Sequence, residues 1–299
     1  MLRQTQKAID HNPYKGLFMI DYRELVKAGV HFGHQKSRWS PKMAPYIWGF
    51  KNGVHLIDVS KTATQLEKAA KFLEGIASQG KTILWVGTKK ASQPSILEAT
   101  ARLNMPYVTH RFIGGTLTNH SQIKKAVTKL LHYKDVLSRS EKFPHYTKKE
   151  LNVLQKDTER LEKNVGGITS LLWPVGALVL VDVRKEASAL REAARMGVPV
   201  VALVDTNNDP SMVDYVIPGN DDAPRAIKVV VDYLANAVAK GTEAAKEAKV
   251  QVERVDLVDS GETTPEIRLT LEEEEEGARR GKTISRNKRG AKKPGLPNE

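Results

Sequence analysis

Six short apolar runs rich in β-branched residues, separated by helical patterns, constrain this chain more than any other feature. They are Val54–Val59, Thr82–Gly87, Tyr107–Ile113, Ala177–Val183, Val198–Val204 and the short Tyr215–Ile217. The later runs are continuous rather than alternating. A strand reads that way when both faces of its sheet are covered, as in parallel sheets. The spacing between them predicts helices over Thr62–Ser78, Gln93–Leu103 and Ala187–Met196, the last followed by Gly197 as a C′ glycine. A final helix opens with Pro224 in its first turn and is expected to stop before Gly241. Strands alternating with helices imply right-handed crossovers and an α/β fold, a doubly wound parallel sheet in three α/β/α layers.

The rhythm breaks between Ser121 and Val165, where no strand pattern occurs. Ile123, Val127, Leu130, Lys134 and Leu137 form one stripe, and Leu151, Leu154, Thr158, Leu161 and Val165 form another. Both alternate steps of three and four, the spacing of coiled-coil seams. Pro144 lies between them, and Thr147 with Glu150 has the capping-box spacing that restarts a helix. The expectation is an antiparallel coiled-coil hairpin, residues 121–164, inserted into an α/β domain made of residues 19–120 and 165–241. From Ser121 to Asn164 it holds 11 Lys+Arg against 6 Asp+Glu. A thin apolar seam with basic outer faces suits a projecting arm, the alternative being two ordinary surface helices.

Charge narrows the partners. The 299 residues carry 47 Lys+Arg and 35 Asp+Glu, a net of +12. Residues 1–241 hold 35 basic and 22 acidic side chains, whereas 242–299 hold 12 and 13. That last segment separates into an acidic run, Glu272–Glu276, and a basic block from Arg279 to Lys293. Segregated like charge with few aromatics is expected to be a disordered tail, either solubilising or an interaction arm. Residues 1–18 read as a separate extension. The absence of cysteine rules out disulfides, a thiolate nucleophile, Cys-ligated zinc and iron–sulfur clusters. The longest uncharged apolar stretch, Leu171–Val181, has eleven residues, against about 20 for a membrane helix. The apolar patch Leu17–Ile20 is too short for a secretory signal. These features point to a soluble, intracellular protein with a polyanionic partner.

Several motifs bear on that partner. Gly87-Thr88-Lys89-Lys90 follows a strand, where α/β proteins bind ligands, and backbone N–H groups with two lysines suit a phosphate. The glycine spacings of a Walker A loop and of a dinucleotide fingerprint are both absent, so RNA phosphate fits better than a nucleotide. Gly114-Gly115 and Gly166-Gly167 stand at the two feet of the hairpin and read as joints rather than ligand loops. Asp182 and Asp205 end adjacent strands, where carboxylates either hold Mg²⁺ or cap helices and turns; no nucleophile stands beside them. The segment His31–Trp48 interleaves bases, imidazoles, aromatics and prolines without a period. Lys36, Arg38 and Lys42 suit phosphates, while Trp39, His31 and His34 suit stacking on unpaired bases. As metal ligands the two histidines lack further obvious donors in the segment; structural histidines are the other reading.

These residues carry a family resemblance. AGVHFGHQ (Ala28–Gln35), RWSPKMAPYIWG (Arg38–Gly49), NGVHLIDVSKT (Asn52–Thr62), VGTKK (Val86–Lys90), RFIGGTLTN (Arg111–Asn119), GGI (Gly166–Ile168), VDTNNDP (Val204–Pro210) and IPGNDDAPRAI (Ile217–Ile227) occur in one order. From about Tyr22 to Gly241 the chain resembles the bacterial-type ribosomal small-subunit protein two family. The resemblance implies a flavodoxin-like domain with an inserted hairpin, binding to small-subunit rRNA, and docking of other small-subunit proteins including the largest. It implies no enzyme, no cofactor beyond Mg²⁺ held through rRNA, no membrane, no functional homo-oligomer, and a place in the ribosome of the cytoplasm or an organelle matrix. The expected RNA contacts are His31, His34, Lys36, Arg38, Trp39, Lys42, Lys89, Lys90, Arg111 and, on the hairpin, Lys124, Lys125, Lys148 and Lys149. The alternative is a nucleotide- or phosphate-binding enzyme using the Gly87–Lys90 loop and Asp205. Two departures from the family pattern, Leu172-Trp173-Pro174-Val175 and Arg111-Phe112-Ile113, insert no charge and suggest repacking.

Overall fold

The computed structural model describes residues 21–139 and 147–259. The expectations for the 1–18 extension, the Pro144 turn and the charged blocks of the tail fall outside those residues. The chain divides into two compact units, Met1–Ala245 and Lys246–Glu299, and the elements below belong to the first up to the final helix.

In chain order they are α1 (Tyr22–Ala28), β1 (Phe32–Gln35), β2 (Ile47–Lys51), β3 (Val54–Ile57), α2 (Val59–Ser78), β4 (Thr82–Val86), α3 (Gln93–Leu103) and β5 (Tyr107–Val108). Then follow α4 (His120–Ser138), α5 (Lys148–Val165), β6 (Val175–Val181), α6 (Ala187–Met196), β7 (Val200–Val204), β8 (Tyr215–Pro218) and α7 (Pro224–Asp259). The parallel sheet has the order β5-β4-β6-β7-β8. Counting only its own strands, that is 2-1-3-4-5, the order of flavodoxin-like sheets.

Every residue of β4, β6 and β7 is buried, and the strand period of two divides them between opposite faces. Ile83, Trp85, Val179, Val201 and Leu203 join Leu66, Leu73, Leu234 and Val238, so α2, α3 and α7 cover one face. Leu84, Val86, Leu178, Leu180 and Val204 join Leu190, Ala193, Ile123 and Leu130, so α6 and the root of the helical pair cover the other. Each such aliphatic burial is worth about 1.5–3 kcal/mol, which is why the continuous apolar runs could only be central strands.

Three expectations are corrected. Val54–Val59 is not part of the parallel sheet: β3 pairs antiparallel with β1 and β2 in a separate three-stranded sheet, and its burial alternates. Tyr107–Ile113 contributes only two strand residues before the chain turns away. The final helix does not stop at Gly241. A Cβ there would lie 2.4 Å from the Glu74 carbonyl oxygen, so this glycine serves close helix packing. The following TEAAKEAK is rich in strong helix formers and carries the helix on.

The helical pair α4 and α5 packs together, and Lys134 and Glu162 join them in an ion pair. Leu151, Leu154, Thr158 and Leu161 are half-buried and Val165 buried, as their spacing requires. In α4, Ile123 and Leu130 are buried and Val127 and Leu137 half-buried, but Lys134 is exposed and Val136 is the buried residue nearby. Thr147 and Glu150 form both bonds of a capping box.

Candidate nucleic-acid interface

The carboxyl ends of the parallel strands collect the charged residues. After β4 come Thr88 and Lys89, after β6 Asp182, after β7 Asp205 to Asn208, and after β8 Asp221 and Asp222. The Lys89 Nζ lies 3.2 Å from Asp182 and 2.7 Å from both Asp221 and Asp222. Burial disfavours this ammonium, but the Asp221, Asp222 and Asp182 carboxylates outweigh it and hold its pKa above the ordinary lysine value. Burial, with Asp205 and Asp182 nearby, pushes Asp221 up to about 7 in spite of Lys89. Asn208 Nδ2 donates to Asp221 at 3.2 Å.

The His31–Trp48 segment lies against this end of the sheet. The His34 N–H donates to Thr206 Oγ1 at 2.8 Å and the Ser40 N–H to the Thr206 carbonyl at 2.8 Å. Gly33 permits the approach: a Cβ there would lie 2.6 Å from the Thr206 methyl. The His34 ring reaches Asp205 at 3.0 Å through Nδ1 and Asp222 at 3.2 Å through Nε2. Contact with Asp205 raises its pKa, against the opposing effect of burial, with Asp222 and Asp221 adding to the rise. Lys42 pairs with Asp209 at 2.7 Å, which holds that carboxyl down to about 2. His31 is half-buried against Phe32, and burial lowers its pKa. Trp39 packs its ring on the buried His55.

The expected contacts therefore separate into two kinds. Lys36, Arg38, Lys90, Arg111, Lys124, Lys125, Lys148 and Lys149 are exposed, Lys36 lying over the Phe50 ring. Lys89 and Lys42 pair with carboxylates, and the His34 ring lies between two of them. Lys148 and Lys149 open α5, while Val165 at its other end is buried in the body. Eighteen residues at 1.5 Å each make this helix about 27 Å long, with those lysines at the end away from Val165.

The sequence assigned no role to Asp221, Asp222, Asn208 or Glu186: the first two are an acidic pair after a strand, Asn208 sits in a polar turn, and Glu186 follows two bases. Asp182 partly does what a turn-forming Asp does, accepting from the Arg184 and Lys185 N–H groups. His34, Asp221 and Asp222 bring ligand atoms within 4.8 Å of one another, a set that could hold a divalent cation. The Gly87–Lys90 loop is built differently from a phosphate cradle. Its Gly87 N–H donates to the Val108 carbonyl, and its Thr88 N–H to the buried Glu186 carboxylate.

The family model of ribosomal protein S2 matches residues 25–241, which spans both sheets, the helical pair and the charged edge. The chain belongs to the ribosomal protein S2 family. That is a family of structural proteins of the small ribosomal subunit, not of enzymes, and its members associate with small-subunit components in translation. At the two departures, Phe112 is buried with Leu117 and Leu190, and Trp173 is half-buried beside the His120 ring. Among the described residues of this S2 family member, no helix is long and apolar enough to cross a membrane.

Proposed function

We propose that the chain binds small-subunit rRNA through the exposed bases at the carboxyl edge of the sheet and along a coiled-coil arm. Lys36, Arg38, Lys90 and Arg111 neutralise phosphates at the edge, and Lys124, Lys125, Lys148 and Lys149 do so along the arm. Phosphate contacts fix register and orientation, while shape supplies the rest of the selection. Lys89, Lys42 and His34 act from behind, fixing the loops that carry the exposed groups. The observation that carries this reading is the division among the expected contacts: Lys36, Arg38, Lys90, Arg111 and the four lysines of the arm are exposed, whereas Lys89 and Lys42 are paired with carboxylates of the body. Mg²⁺ enters with the RNA, and the protein works within the small subunit in the cytoplasm.

A separate surface suits protein docking. Trp48 is 75% exposed on the antiparallel sheet, where it lines a groove with Val26, His31, Leu56 and Val59. A large exposed aromatic at the rim of an apolar groove suits an interaction site. We place the docking of other small-subunit proteins, the largest among them, on this face.

Sedimentation of reconstituted small subunits tests the RNA reading. Replacing Lys36, Arg38, Lys90 and Arg111 together by Ala should leave the fold intact and cut incorporation at physiological salt. Incorporation at the unsubstituted level would remove the edge from the interface.

A further inference from the structure

One carboxylate holds the foot of the arm. Glu192, on α6, accepts from the Gly115 N–H at 2.6 Å through Oε1, and from the Leu117 and Thr118 N–H groups at 2.9 and 3.2 Å through Oε2. The Thr118 hydroxyl adds a contact at 3.3 Å. These donors all belong to the loop from Arg111 to Asn119, which leaves the sheet and opens α4. The loop can converge its N–H groups because Gly115 takes φ +93°, a left-handed conformation open to glycine. Successive N–H groups so arranged form a concave anion site, and here the anion is a side chain of the body. The Asn119 N–H donates back to the Gly115 carbonyl at 2.8 Å, tying the clamped turn to the helix start. Asn119 itself makes no side-chain cap to α4, so the clamp is the polar anchor at this foot. At the other foot, Gly167 packs on Tyr107 with no room for a Cβ.

We infer that Glu192 is a positioning residue: its carboxylate fixes the Arg111–Asn119 loop and so sets the direction of the helical arm and the placement of Arg111. The consequence for RNA rests on the reading of the arm as an RNA contact; the clamp itself does not. A carboxylate accepts from every donor in this nest, whereas a carboxamide of the same volume turns an NH₂ group toward N–H groups. Charge and packing therefore separate in one substitution.

The chain holds no cysteine, so Lys68→Cys on α2 and Asn152→Cys on α5, both at exposed positions, take spin labels cleanly. Electron–electron resonance should give one narrow distance distribution between body and arm, and a broadened or shifted one in both Glu192→Gln and Glu192→Ala. A narrow distribution kept in Glu192→Gln but lost in Glu192→Ala would reduce Glu192 to packing and overturn the inference. Amide exchange in the unsubstituted protein decides the matter even if a variant does not fold. The Gly115, Leu117 and Thr118 amides should be protected by about tenfold or more over open-loop rates, and exchange at open-loop rates would equally overturn it. rRNA affinity is measured on the same samples. An arm loosened by Glu192→Gln with unchanged affinity sinks the RNA reading and leaves the clamp standing.

Discussion

At the scale of single residues, burial sets the character of the charged edge. Glu186 is 3% exposed and accepts from both the N–H and the hydroxyl of Thr88. Burial raises its pKa above the ordinary glutamate value, with the Thr88 donors opposing. A carboxyl with a raised folded-state pKa binds its proton more tightly folded than unfolded. Its contribution is therefore complete below the ordinary value of 4.5 and is lost as pH rises through the folded value. Glu186→Gln keeps the acceptor and removes the charge. Thermal unfolding should show the unsubstituted protein losing stability relative to this variant as pH rises above 4.5; curves that stay parallel would contradict it. The residues of this edge were only half legible in the sequence. Lys89 reads there as a phosphate contact, because its partners Asp221 and Asp222 lie 132 and 133 positions away. Such pairs are brought together by sheet order, which hydrophobic periodicity does not encode. Lys36, Arg38 and Arg111 read in the sequence as surface bases, and the fold leaves all three exposed.

Elements were legible where their boundaries are local chemistry. Gln93–Leu103 and Ala187–Met196 match the sequence reading to the residue. Pro94 stands in the first turn of one, and Gly197 at φ +66° closes the other. The capping box that restarts α5 was equally readable. Boundaries set by tertiary contact were not, as Gly241 shows: it reads as a stop, but space against Glu74 requires it. The glycine pairs of the arm repeat the point in a testable form. A Cβ on Gly167 would lie 2.3 Å from the Tyr107 carbonyl oxygen, whereas one on Gly114 would meet nothing nearer than 3.9 Å. Gly167→Ala should thus cost about 1–3 kcal/mol by overpacking. At roughly 2–4 °C per kcal/mol for a domain of this size, that is a clear drop in Tm. Gly114→Ala should melt within a degree or two of the unsubstituted protein. Equal Tm values for the two variants would mean that Gly167 is not a close-packed joint.

Across the whole molecule the net charge of +12 is a matter of placement. The parallel sheet supplies an edge where strand ends gather charge, and the body neutralises the buried part of it with its own carboxylates. Exposed lysines and arginines remain on that edge and along the helical pair, whose second helix is about 27 Å long. Eight engaged phosphates, one for each exposed base of the edge and arm, at about 0.7 released counterions each, give a salt slope on the order of −6 for an irregular folded RNA. A protein whose basic excess merely kept it dispersed would show none. The deciding measurement is the affinity of the folded chain for small-subunit rRNA across a salt series. The account predicts a straight fall of log affinity against log salt with a slope on the order of −6, reduced when Lys36, Arg38, Lys90 and Arg111 are replaced by Ala. A flat line, or a slope unmoved by those substitutions, would contradict it.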